Sequence, residues 1–311
     1  MTDALPPVLT GIAVAFLVLV VTALSRRFPV PTPILQVAAG LLVGLVPGTA
    51  GFRLEPSVVF FVFLPPVLWA AAYFTSFRDF KANLRPICLL AVGLVLATTA
   101  AVAVAAHALL PGLPWPAAVA LGANVSPPDA VAAEAILRRL PIPRRVVVVL
   151  EGESLVNDAS ALVLYRTAVL AMVSGYFSPG EAVVRFFIDA SVGVLAGLAV
   201  GWLIIRLAEL TRDSLAQVIL TLVGPYLAWV AAERIHVSAV LACVAGGLYV
   251  RQHFSSVASP ASRLQARAVW DLLVFMTNAL IFILLGVQFA KLIEAVPPGE
   301  LGTVARTGLL R

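Results

Sequence analysis

The chain has 311 residues, of which 61% are hydrophobic and only 12% charged, and its mean hydropathy is +1.02. No water-soluble globular domain needs such a composition, whereas a polytopic membrane protein does. The formal net charge of +5 does not point to nucleic acid, because the basic residues are spread along the chain by topology rather than gathered in one patch.

Apolar runs able to cross a bilayer, which takes about 20 helical residues, recur at roughly 8–24, 33–47, 56–76, 87–110, 116–137, 146–170, 183–205, 215–232, 237–250 and 269–289, and a further run starts near 303. The first is expected to stay as a helix, because "MTDALPP" lacks the basic segment of a cleaved signal and Ser25-Arg26-Arg27 is no small-residue cleavage site. Lys and Arg gather at the odd-numbered connections, among them Arg26, Arg27, Arg78, Lys81, Arg85, Arg138, Arg139, Arg144 and Arg145. The even ones hold Arg53, Arg185, Arg234 and Lys291. Under the positive-inside rule the odd loops are cytoplasmic and the N-terminus is outside, in a multi-pass protein of the plasma (inner) membrane.

Connections are short and no polar stretch could form a soluble domain, so residues 1–311 read as one transmembrane domain. The longest connection, 251–269, is expected to be a basic cytoplasmic connector, with a short amphipathic helix on the membrane as the alternative. Gly40, Gly44 and Gly48 in the second span, and Gly193, Gly197 and Gly201 in the seventh, repeat every four residues. Each strip lets another helix approach closely, more plausibly within the same chain than from a second protomer. Cys88 and Cys243 fall within apolar spans, which argues against a disulfide framework.

Ionisable residues at membrane depth cost about 2.5–3.5 kcal/mol each and so mark function by default. Asp129 lies near the middle of the fifth span, and Glu151, Glu153 and Asp158 lie in the sixth. Asp158 is placed close to the bilayer midplane. At 100° per residue, Ser154 and Asp158 share one face of that helix, with Glu151 beside them, while Glu153 and Asn157 share another. The first face can offer oxygens to a hard cation; the second can pin the helix to a neighbour, Asn157 donating as well as accepting. The alternative is that these groups only satisfy one another. Pro127-Pro128 interrupts the fifth span, freeing backbone carbonyls around residues 124–126 just before Asp129. Broken helices at this depth persist where they line a cavity or are buried in protein; a simple proline kink is the competing reading.

"SPPDAV", followed some two dozen residues later by "EGESLVNDASALV", resembles the paired signature of the cation/proton antiporter-1 family, the bacterial sodium/proton antiporters related to sodium/hydrogen exchangers. "FLPPVLWAAAYF" (63–74), "ERIHVSAVLACVAGGL" (233–248) and "VWDLLVFMTNALIFILLGVQF" (269–289) resemble further family segments in order. The resemblance implies an all-α inverted-repeat fold with two broken crossing helices and about thirteen spans. A core, here spans 56–170 and 269–289, moves against a dimerisation domain in a homodimer. Since the sequence stops as an eleventh span begins, it is expected to be a fold truncated after about ten spans, its second repeat incomplete.

On the same resemblance, Asp158 is the residue that binds either a proton or a sodium ion, Asp129, Ser154 and Glu153 surround the ion, and Asn157 is its structural neighbour. A transported sodium would be held by Asp158, Asp129 and Ser154. Asn157, where electrogenic relatives carry a second aspartate, implies electroneutral exchange. Two departures are Pro128 in place of a usual threonine and Trp69 in place of a frequent acidic residue. The expected partners are membrane lipid and sodium, lithium or potassium ions, without nucleic acid. No cofactor is implied and no enzyme activity: His107, His236 and His253 are scattered, and there is neither a metal-spaced Cys/His set nor a phosphate-cradling glycine loop. The alternatives are a potassium/proton antiporter and a non-transporting, truncated paralogue acting as a membrane scaffold.

Overall fold

A computed structural model describes residues 16–25, 27, 30–46, 56–128, 142–175, 179–211 and 213–295. The described residues hold a helix at every predicted span. They are α1 (Phe16–Ser25), α2 (Thr32–Gly44), α3 (Pro56–Phe74), the short α4 (Phe77–Ala82), α5 (Leu84–Leu109), α6 (Trp115–Val125), α7 (Arg144–Ser174), α8 (Pro179–Leu210), α9 (Ser214–Arg234), α10 (Ala239–Val257) and α11 (Pro260–Ala295). By length and composition, α5, α9, the stretch Phe186–Leu210 of α8 and Pro260–Ile293 of α11 can each cross a membrane. They turn large apolar side chains outward, such as Leu96 on α5, Leu195 and Trp202 on α8 and Leu285 on α11. A water-soluble fold would bury that surface; a bilayer solvates it.

The helices form two compact units. One comprises the first 59 residues with the chain from Asp271 onward, the other residues 60–270. In the first, α2 lies against α11 through reciprocal glycines. A methyl group on Gly40 would overlap the Ile283 carbonyl, and one on Gly286 would overlap the Val37 carbonyl. Val18 of α1 packs with Ala279 and Ile283 of α11. Thus the expected Gly40/Gly44 strip meets a helix of its own chain; Gly48 lies outside the described residues.

In the second unit the Gly193, Gly197 and Gly201 strip of α8 meets α10, at Ser238, at the Ala242 carbonyl and at Tyr249 respectively. Here too the partner is in the same chain. Trp69 of α3, fully buried, fills a socket whose walls exist because glycine leaves room: a Cβ on Gly224 of α9 or Gly246 of α10 would come within 2.7 and 2.5 Å of its indole carbons. Its Nε1 has no hydrogen-bond partner among the described residues. The equally buried Trp270, by contrast, donates from Nε1 to Thr221 Oγ1 at 3.1 Å.

Three features differ from the sequence expectation or add to it. Residues 251–269 are not a connector: α10 runs on to Val257 and α11 starts at Pro260, leaving only Ala258 and Ser259 between them. Ser259 caps the new helix by accepting from Ser262 N at 3.1 Å, with proline in the first helical position. In α5, residues Leu89–Leu94 widen into a π segment, which no residue pattern announces. Before it, α4 forms an elbow between two spans. Cys88 and Cys243 are unpaired, in line with the expectation.

Gly197→Val should lower the melting temperature of the purified protein, by the equivalent of about 1–3 kcal/mol or more, since backbone rather than a flexible side chain blocks the new methyls. Gly93→Ala, where a Cβ meets open space, should leave it unchanged. Trp270→Phe should cost about 1 kcal/mol more than Trp69→Phe, because only the first breaks a hydrogen bond; thermal-shift or denaturant titration in detergent measures the difference.

Candidate functional site

Two helices carry the polar residues singled out by sequence. α6 starts beside Pro114 and ends at Val125, and Ser126 closes it, its N–H donating to the Gly122 carbonyl at 3.0 Å and its hydroxyl to the Ala123 carbonyl at 3.1 Å. The helix stops where Pro127 and Pro128 would have to supply donors they lack. Ser126 is buried, Pro127 half-buried and Pro128 exposed. Asp129, with the remainder of the predicted fifth span, lies outside the described residues.

α7 is continuous from Arg144 to Ser174 and packs against α6, against both halves of α5 and against α10. Small residues make this possible: Gly152 leaves room for the side chains of Ile87 and Phe80, and the missing Cβ of Gly122 on α6 lets the Thr99 carbonyl of α5 come close. The two polar faces expected of α7 differ in depth. Glu153 is 4% exposed and Asn157 0%, whereas Ser154 and Asp158 are half-buried, as is Glu151. Asp158 and Glu151 are engaged by other groups.

Among the described residues no hydrogen bond from the buried face pins α7 to a neighbour. Glu153 Oε1 and both Asn157 amide atoms have no partner among the described residues, and neither does Thr99 Oγ1 on α5. Each such group costs about 1–3 kcal/mol relative to a satisfied one, so their concentration on α7 and the adjacent helix marks the place where this fold departs from its own packing rules. Thr99 carried no sequence signal, being one of two adjacent threonines in an alanine-rich run. Trp69 was visible only as a departure from a resemblance.

The chemistry available on the half-buried face is a hydroxyl and a carboxylate one helical turn apart, both oxygen donors suited to a hard monovalent cation or a proton. Among the described residues no three His, Cys, Asp or Glu side chains are grouped as a metal site. The histidines serve locally: His107 Nδ1 donates to the Leu113 carbonyl at 2.7 Å while its ring stacks on Trp115, and His253 Nδ1 donates to Tyr249 O at 2.9 Å.

Comparison with known proteins places this arrangement. The family model described as "Sodium/hydrogen exchanger, transmembrane" matches residues 12–307. An uncharacterized Na(+)/H(+) exchanger of Mycobacterium tuberculosis is 37% identical over 300 residues, covering 96% of this chain and 54% of the relative. A sodium, potassium, lithium and rubidium/H(+) antiporter of Bacillus subtilis is 36% identical over 281 residues, covering 88% of this chain and 42% of the relative. The solved structure of the sodium proton antiporter MjNhaP1 from Methanocaldococcus jannaschii at pH 8 superposes with a TM-score of 0.73 at 16% identity, over 92% of this chain and 71% of that one, a likeness of fold. The chain spans about half the length of the curated relatives it matches. With the family model running almost from end to end and the helices arranged as in a solved antiporter, the chain belongs to the sodium/hydrogen exchanger family of membrane transporters.

Proposed function

We propose that the protein exchanges sodium, or another monovalent cation, for protons by alternating access, with Asp158 as the group both ions share. The observation that carries this reading is the pairing of Ser154 and Asp158 on a half-buried face of α7, beside a fully buried face of the same helix. A single carboxylate that holds either a proton or a cation couples the two flows by competition. Ser154 and Asp129 complete the oxygen set for a sodium ion. Glu153 lies with them around the ion, Asn157 is its structural neighbour, and Pro127 and Pro128 end α6 so that its last carbonyls can face the ion.

The exchange is electroneutral on this reading, one proton for one cation, because Asn157 supplies an amide where a second carboxylate would add a charge. A neutral cycle is not driven by the membrane potential, which is worth about 2.3 kcal/mol per charge per 100 mV. The protein works as a homodimer in the plasma (inner) membrane, with its N-terminus outside and the odd connections, rich in Arg and Lys, in the cytoplasm.

A second reading is potassium/proton exchange. The printed name of the Bacillus subtilis relative includes potassium, lithium and rubidium, and oxygen ligands alone do not separate these ions.

Everted membrane vesicles carrying the full-length gene product, with an imposed proton gradient, test the proposal. Sodium should dissipate the gradient in wild type, and Asp158→Asn should bring dissipation to the level of vesicles without the protein. Ser154→Ala should raise the half-saturating sodium concentration about fivefold, the loss of one oxygen ligand worth about 1 kcal/mol. Response to potassium but not sodium selects the second reading. Unimpaired sodium-driven proton flux in Asp158→Asn refutes the assignment, and an inserted wild type that exchanges no cation points to a membrane scaffold.

A further inference from the structure

Between α3 and α5 the chain reads Ser76-Phe77-Arg78-Asp79-Phe80-Lys81-Ala82-Asn83-Leu84-Arg85. Ser76 starts α4 by accepting a hydrogen bond from Asp79 N, and Asn83 ends it, its side-chain amide donating to the Asp79 carbonyl at 2.9 Å. Phe80 turns inward, 9% exposed, into a cluster with Ala72, Ile87, Leu155, Val244 and Leu248. On a helix, Arg78 then lies about 200° from Phe80, on the opposite face, and Lys81 about 60° from Arg78. The elbow is fixed with its basic side outward.

The start of α7 holds another face of the elbow. Arg144 Nη2 pairs with Asp79 Oδ2 at 2.9 Å and Arg145 Nε donates to Asn83 Oδ1 at 3.1 Å. Asp79 is the only acidic residue in either segment, 76–88 or 142–150, and it is already engaged by a guanidinium whose side chain stays 83% exposed. Arg78, Lys81 and Arg85 are exposed and pair with no described carboxylate. Bordering them are exposed apolar side chains, Phe77, Leu84 and Leu89, at 38%, 46% and 65%.

We propose that this elbow binds the headgroup of an anionic phospholipid of the surrounding leaflet. Arg78, Lys81 and Arg85 receive the phosphate, and Phe77, Leu84 and Leu89 lie along the acyl chains. Charge complementarity supplies the attraction, worth about fivefold in affinity per basic residue near an anionic surface. The apolar border selects the source: a soluble polyanion would leave it in water, whereas a lipid covers it. The elbow sits at the ends of two apolar spans, where headgroups are. The binding itself stands apart from the transport reading.

Electron spin resonance on the full chain in phosphatidylcholine liposomes tests it, comparing the protein-restricted fraction of spin-labelled phosphatidylglycerol with that of spin-labelled phosphatidylcholine. Wild type should prefer phosphatidylglycerol about fivefold or more, R85Q should reduce the preference, and R78Q/K81Q/R85Q should bring it close to one with an unchanged melting temperature. R234Q/R251Q/R263Q, with the same change in net charge at other exposed positions, should keep it. Survival of the preference in the elbow variant, or an equal loss in the control, overturns the proposal. Displacement of the lipid by excess inorganic phosphate as complete as that in the elbow variant would also overturn it, in favour of a free-anion site.

Discussion

Within a bilayer a polar side chain must find protein, water or an ion, because lipid offers nothing to bond with. α7 sets this constraint for the whole chain. It carries Glu151, Glu153, Ser154, Asn157 and Asp158 in two turns, and the rest of the second unit is arranged so that none of them is fully exposed. α5, α6 and α10 pack around the helix. The face with Glu153 and Asn157 is closed to solvent but left without hydrogen bonds to described residues, and the face with Ser154 and Asp158 is only half closed. A bundle selected for stability alone would place leucine at the first pair and nothing ionisable at the second. Retaining both fits the proposed exchange, in which one group changes partner beside others that are not used up by strong bonds.

Close helix approach is the means. Glycine and alanine remove side-chain volume where backbones cross, in the α2/α11 pair of the first unit and in the α8/α10 pair of the second, and van der Waals contact replaces the hydrophobic effect that lipid cannot provide. The same device makes the Trp69 socket: Gly224 and Gly246 leave space, and a large rigid ring fills it. An acidic residue there would need a counter-charge or a proton, whereas an indole needs only contact area, apart from the one N–H that has no partner among the described residues.

Much of this was legible in the sequence because the bilayer makes a simple filter. Apolar runs became helices at each predicted position, the two glycine strips found partners within the chain, and Pro127-Pro128 stopped α6. The proposed ion ligands were legible as a two-faced pattern on one helix, although Asp129 lies outside the described residues and the roles of Asp158, Ser154, Glu153 and Asn157 rest on resemblance and placement together. What escaped lies where the apolar filter is blind. Residues 251–269 are polar enough to read as a loop, yet Ser259-Pro260 is a helix-start signal that could have placed α11 earlier in the chain. Ser76 three residues before Asp79 is a similar signal for α4. The π segment of α5 and the Thr99 hydroxyl, which has no partner among the described residues, are announced by no local pattern.

In the proposed exchange a proton and a cation compete for one carboxylate on α7. The most direct measurement is proton release on adding sodium, lithium or potassium to the purified full-length gene product in weakly buffered detergent solution. Competition at Asp158 should give a saturable release of up to one proton per protomer, greatest near the pH at which the site is half protonated and absent in Asp158→Asn. Saturable cation binding with no proton release at any pH, or undiminished release in the variant, would contradict it.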